Sequence, residues 1–412
     1  MKEEINKTLL VIGGGVESLP GIKIALSFGI RVVVSDMDVN APAFLLCKDQ
    51  LLSSTYDFVK TAGLAKKFSE EVCKIDGVIS LAADVPYTVS WVSKELNISY
   101  SNSLETAILS SDKLKMKLKF RDKKIPIPNF WKISSVNELK EVVRENGFPI
   151  IIKPLDSRGA RGVYLLNEKD DLDFYFNETK KYTNLNHILV EQYLTGPQIS
   201  TEALIVNGEG FSIGFSDRNY EFLKVYSPYI IENGGDMPTS LTNKDKYNIE
   251  HTAIKAGLAL GVKNGIVKGD MVLTKDGPKV IEIATRLSGG YFSSNQIPLN
   301  SGVSIVEYAI KLALNINFSH DKLKPKINTG VAIRYFFLKP GKINKIENLN
   351  FINEIDFVHK FELFINEGDV VGPMTDHTKR CGFVLTTGDT KKEAIERADS
   401  LIIQITNKIK YS

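Results

Sequence analysis

The run TLLVIGGGVESLPGIKIALSFGIRVVVSDMD, residues 8–38, constrains this chain most. An apolar run enters three glycines, a stretch able to hold a crossover helix follows, and a second apolar run ends on an acid. Parallel strands need such a crossover, because a tight hairpin joins only antiparallel ones. DGVISLA (76–82) repeats the strand pattern, so residues 1 to about 110 read as a parallel sheet with right-handed connections.

The glycine turn partly matches a dinucleotide fingerprint. Gly13 and Gly15 fit its first two glycines, Ser18 stands at the third, and Asp36 lies where a ribose-binding acid falls. The physics is wider than one cofactor. Glycines after a strand permit φ > 0 and expose N–H groups at a helix N-terminus, where any anion can sit.

The remaining chain supplies further α/β and strand-rich regions. KIPIPNF (124–130), with its two prolines, reads as a linker. SVNELKEVVRENG (135–147) reads as a helix ended by Gly147, and PIIIK (149–153) as the next strand. Residues 188–284 are strand-rich, interrupted by a helix over 244–261, and the chain ends in the amphipathic KKEAIERADSLIIQITNKI. In DKLKMKLKFRDKK (112–124) the charges alternate with period two. On a helix that spacing builds no single basic face, so the reading is a solvated helix with one or two committed lysines.

Composition excludes several classes. The formal net charge is +3, too small to argue for nucleic acid or a membrane surface. Three scattered cysteines, with no CxxC pair, suggest reduced thiols in a cytosol. The five histidines lack zinc-site spacing. MKEEINKT is polar and no apolar run reaches spanning length, so a soluble, cytoplasmic protein without leader or anchor is the expectation.

Three stretches carry chemistry. In KPLDSRGARGVYL (153–165) a strand delivers Lys153 to a small loop holding Ser157, Gly159, Arg161 and Gly162. Such a loop can fold over phosphates with its N–H groups while the lysine offsets their charge. In HILVEQYLTGPQISTEALIV (187–206) a strand, a turn at 195–197 and a second strand can read an adenine edge; Gln198, Ser200 and Glu202 share one face. In GDMVLTKDGPKVIEIATRLSGG (269–290) a hairpin with Asp276–Gly277 in its turn places Asp270 and Glu282 near enough to be cross-strand partners. Paired carboxylates are the usual protein share of a Mg²⁺ site. Arg286 follows on a loop, where it could stabilise charge on a transferring phosphoryl group.

In this order the stretches resemble the ATP-grasp superfamily, specifically its carbamoyl-phosphate-synthetase-like branch. The resemblance covers nearly the whole chain. It implies an α/β and α+β chain: an ATP-grasp fold with an N-terminal Rossmann-like pre-ATP-grasp domain over 1–110. A linker helix and lid over 111–195, a metal-bearing subdomain over 196–325 and an α+β extension over 326–412 would follow. It further implies an ADP-forming carboxylate–amine ligase using ATP and Mg²⁺. Its expected partners are a small-molecule carboxylate and an amine, with a homodimer as the candidate assembly and neither nucleic acid nor membrane.

Residue by residue, the resemblance assigns Lys113 and Lys153 as the ATP-binding lysines. Ser157, Gly159, Arg161 and Gly162 form the phosphate loop; Glu191, Gln192, Tyr193 and Leu194 form the adenine hinge, and Gln198 meets the ribose hydroxyls. Asp270 and Glu282 would hold the metal, with Arg286 and Lys153 catalytic. Ala284 departs from the pattern: the family often has asparagine there as a further metal ligand, and alanine cannot coordinate. Gly14, Gly15, Asp36, Asp84, Ser288 and Gly289 would lie on the substrate side. Two other readings stand beside this one: a dehydrogenase built on the N-terminal glycine loop, and a non-catalytic ATP-grasp binding protein.

Overall fold

The structure is a computed structural model that describes residues 6–157 and 159–412. Most of the polar N-terminal stretch, and Arg158 of the glycine loop, lie outside the described residues.

The N-terminal strands Asp49–Leu52, Arg31–Asp36, Thr8–Ile12 and Gly77–Ile79 form one parallel sheet in that order. Every residue of Thr8–Ile12 is buried because both faces of the sheet are covered. Leu9 and Val11 pack with Ile22 and Ala25 on one side, and Leu10 and Ile12 with Ala62, Ala65 and Val92 on the other. A strand buried on both faces loses alternation and reads as one apolar run. The edge strand Asp49–Leu52 gives no such signal: its sequence is DQLL, and only Leu51 is buried.

A second sheet, antiparallel, has the order Phe130–Ile133, Ile188–Gln192, Ile150–Lys153, Tyr164–Leu166. Helices Val136–Asn146 and Leu172–Lys180 cover it. The first of these helices is built as its sequence suggests. Ser135 Oγ accepts the Glu138 N–H, Glu138 accepts the Ser134 N–H, and Gly147 closes it at φ 74°.

The third sheet has eight strands. Gly277–Ala284, Gly265–Thr274, Gln198–Val206 and Glu209–Arg218 run on through Gly235–Met237 to Gly330–Tyr335, Gly382–Gly388 and Val358–Leu363. Helix Asn243–Ala259 packs on its first half and helix Lys391–Asn407 on its last. Of the strands after residue 326, Gly330–Tyr335, Gly382–Gly388 and Val358–Leu363 continue this sheet, whereas Val370–Val371, Gly341–Ile346 and Ile409–Tyr411 form a small sheet of their own. The hairpin turn is Lys275–Asp276, with Gly277 opening the return strand at φ 105°.

In helix Lys113–Asp122 the lysine committed to the interior is Lys117. Asp112 caps the helix, and Met116, Lys117 and Phe120 are its buried residues. Met116 and Phe120 are i and i+4, so one face is anchored in the core and Lys117 goes in with it. Among the described residues no helix is long and apolar enough to cross a membrane.

Candidate functional site

A cleft of about 1350 Å³ opens where the antiparallel four-stranded sheet, the hairpin end of the eight-stranded sheet and the N-terminal unit meet. Lys153, Ser157, Gly159 and Glu191 to Leu194 line it from one side. Gln198, Asp270, Glu282 and Ala284 line it from the other, and Lys113, Asp84 and Arg286 complete it. Arg161 and Gly162 are not in its wall; Gly162, at φ 71°, is packed against Tyr182.

The floor is a grid set by strand register. Asp270 stands opposite Glu282 on one neighbour and Ser200 on the other; Lys268 stands opposite Ala284 and Glu202. Period-two alternation brings all of these to one face. The Lys268 ammonium lies 2.6 Å from Asp270 Oδ1, and Arg218 donates to the same oxygen at 2.8 Å while also pairing with Glu232. Burial pushes the Asp270 carboxyl up, but Lys268 and Arg218 overcome it and hold the group well below the usual carboxylate range.

Glu191 was expected only as part of an adenine hinge. Its carboxylate is also the centre of a buried triad, 3.0 Å from Lys117 and 2.8 Å from Lys153. Burial raises its pKa; the two lysines overcome that and keep it ionised. Burial also lowers Lys117 from 10.5 to about 8, only partly offset by Glu191. Lys113 spans the cleft by donating to the Ser157 carbonyl at 3.2 Å and lying 3.7 Å from Glu282. Arg286 pairs with Asp84 at 3.0 Å, which ties the sheet to the N-terminal unit.

Several groups escaped the sequence reading. Lys268 was within reach, since it lies two residues from Asp270 on the same strand. Arg218 ends a strand whose register no local pattern reveals. Glu202, grouped by alternation with Gln198 and Ser200, is fully buried beneath Ser293 and the Ser288 N–H, and burial raises its pKa to about 7. His377 arrives from far along the chain; its Nε2 accepts the Glu232 N–H at 3.3 Å, and burial lowers its pKa to about 4, which keeps it neutral.

Of the residues expected on the substrate side, Asp84 alone lines the cleft. Asp36 holds its own turn: one oxygen accepts the Gly14 N–H at 2.7 Å and the other the Asp38 N–H at 3.0 Å. The positive φ belongs to Gly13, at 97°, where an added Cβ would lie 2.9 Å from that of Ala83. Gly14 is crowded by Val34, Ala41 and Ala43, whereas Gly15 has φ −66° and open space. Ser288 serves Glu202, and the Gly289 Cα faces the Glu17 carboxylate, which accepts the Gly290 N–H at 3.1 Å.

No group of three or more His, Cys, Asp or Glu able to hold a metal ion occurs among the described residues. Two in-register carboxylates fit one hard cation, provided phosphate oxygens and water complete its octahedron. The alanine at 284 supplies nothing further.

Residues 110–290 match the family model for an ATP-grasp domain, and residues 334–410 that for the L-amino acid ligase C-terminal domain 2. The chain thus carries an ATP-grasp domain over residues 110–290. It is 24% identical to a carbamoyl-phosphate synthase of Methanobrevibacter smithii over 64% of this chain and 66% of that protein. The chain spans less than two-thirds of the length of the curated relatives it matches. Among solved structures it resembles the L-amino acid ligase from Bacillus licheniformis (19% identical, TM-score 0.80, 99% of each chain covered). It also resembles N5-carboxyaminoimidazole synthetase from Staphylococcus aureus complexed with ADP (14%, TM-score 0.75, 97% of this chain and 98% of that one).

Proposed function

We propose that this chain is an ATP-dependent ligase that activates a small carboxylate as an acyl phosphate and couples it to an amine, releasing ADP and phosphate. The observation that carries the reading is the in-register carboxylate pair, Asp270 and Glu282, in a cleft also lined by Lys113, Lys153, Lys268 and Arg286. That is a site for a polyphosphate and its counter-ions, with no side-chain nucleophile required. The dehydrogenase reading loses its footing, because Asp36 is spent on the glycine turn.

In this reading residues 111–195 close over the adenine and phosphates, 196–325 form the floor, and 1–110 and 326–412 frame the substrate end. Gln192 to Leu194 border the adenine, and Ser157 and Gly159 cover the phosphates. Lys113, Lys153 and Arg286 offset phosphate charge. Asp270 and Glu282 would hold Mg²⁺, which when bound supplies further charge neutralisation and orients phosphate oxygens. A substrate carboxylate oxygen attacks the γ-phosphorus, and the bond to the β-phosphate oxygen breaks with its electron pair leaving on ADP. The amine then attacks the acyl carbon, phosphate departs with the C–O pair, and the amine loses a proton. Catalysis here is positional and electrostatic.

The match of residues 334–410 to an L-amino acid ligase domain supports an amino acid as the carboxylate. Phosphate release by the purified chain with ATP and pooled amino acids tests the reading, with ADP and a new amide as the expected products. AMP and pyrophosphate as products would overturn it.

A further inference from the structure

The resting geometry gives Asp270 more cation than a metal ligand needs. Lys268 and Arg218 make their close approaches to the same oxygen, Oδ1. Arg218 is also spoken for by Glu232 and lies against the Tyr220 ring, at 5.2 Å. Lys268 is different. Among the described residues Asp270 is its ion-pair partner, an ammonium has three N–H donors, and Lys268 lines the cleft. Directly across the strand pair stands Ala284, whose methyl neither coordinates nor fills the space over the floor. On the other side Glu202 is occupied by Ser293 and the Ser288 N–H, so it leaves the ammonium to Asp270 and the cleft.

We propose that Lys268 is a catalytic residue: a tethered cation that contacts the terminal phosphate, standing beside the position where Ala284 denies a second divalent ion a ligand. The proposal rests on the ATP-dependent reading and deepens it. A lysine is a compact point charge suited to a phosphate oxygen, and Asp270 orients it without removing its charge. Lys268 neither gives nor takes a proton in the transfer; it stabilises the charge that spreads over the γ-phosphoryl oxygens.

A merely structural Lys268, neutralising Asp270, would treat ATP and ADP alike. Calorimetric titration of the full chain with ATP and with ADP, in EDTA and then with Mg²⁺, separates the cases. In Lys268→Met the affinity for ATP in EDTA should fall by about tenfold to a hundredfold, the size of a lost charge-assisted contact, and that for ADP by less than about threefold. Lys268→Arg should recover most of the ATP affinity. Lys268→Gln, which matches methionine in length and keeps a donor but no charge, should behave as the methionine variant does and guards against a methionine variant that fails to fold. Equal losses for the two nucleotides, or no loss for either, overturn the role of Lys268. A wild-type chain that binds neither nucleotide overturns the ATP reading and this inference with it.

Discussion

Lys117→Met is the substitution whose outcome the buried triad predicts most sharply. The Lys117 ammonium is buried beside Glu191, and burial lowers its pKa from 10.5 to about 8. The folded environment thus disfavours the charged form by about 3 kcal/mol near neutral pH, at 1.36 kcal/mol per pH unit. Glu191 keeps a second partner, Lys153 at 2.8 Å, so removing Lys117 does not strand a buried carboxylate. Methionine has similar length and no charge. The variant should therefore be at least as stable as the wild type near neutral pH.

The sign of the pH dependence follows from linkage. Between pH 8 and 10.5 the unfolded chain binds a proton at Lys117 that the native state has lost. Stability of the wild type consequently rises with pH across that window, and the variant lacks this rise. From about pH 7 to about pH 9.5 the wild type should gain about 2 kcal/mol on the variant. Urea unfolding of both proteins at the two pH values measures this, and the double difference cancels every other titrating group. A variant that loses about 3–5 kcal/mol near neutral pH, the signature of a broken buried pair, would refute the reasoning. So would a difference that does not change with pH.

Further outcomes follow from the same geometry. Lys153→Met and Glu282→Gln should each lower kcat by about a hundredfold or more with the circular dichroism spectrum unchanged; near wild-type turnover in either counts against the site. Gly13→Val should be strongly destabilising, since φ is 97° and its Cβ would meet Ala83, whereas Gly15→Val should melt within a few degrees of wild type; equal melting temperatures would contradict this. Glu202 has its pKa raised from 4.5 to about 7, so the native state holds a proton there that the unfolded chain has lost, and stability should fall as pH rises through that window. Glu202→Gln should flatten that fall, which unfolding at a series of pH values reads directly.

What the sequence could show depended on whether a residue's neighbours are local. The N-terminal sheet was legible because strands buried on both faces are nearly continuous apolar runs, as in TLLVI and RVVVS; DQLL, an edge strand with one buried residue, was not. Asp270 and Glu282 were legible as near neighbours because a short hairpin joins their strands, but unbroken register would set Asp270 opposite Ile281; a bulge between Asp270 and Met271, which no local pattern announces, brings Glu282 opposite it. The glycine turn shows the limit of local reasoning. Its strand–turn–helix outline was right, but of the three glycines only Gly13 takes φ > 0, the space beside it is closed by Ala83, many residues away, and the acid at 36 is used by the turn itself.

Lys117 was hidden for a different reason. Its run alternates lysine and apolar residues with period two, which on a helix spreads charge on every side and favours none. What selects Lys117 for burial is its place next to Met116 and Phe120, together with a carboxylate delivered by a strand more than seventy residues later. A buried lysine is tolerable only with such a partner. The partner, Glu191, belongs to a stretch that was read for an adenine edge. The two halves of the triad therefore each looked ordinary, and only the closure of the four-stranded sheet over the linker helix makes them a single group. Since that sheet also carries Lys153 and the glycine loop, the triad couples the seating of the helix to the position of the lysine expected at the phosphates. Lys117→Met thus has a second reading: if Lys153 is held in place by Glu191 alone, nucleotide affinity should survive the substitution, and if the triad acts as a unit it should fall with it.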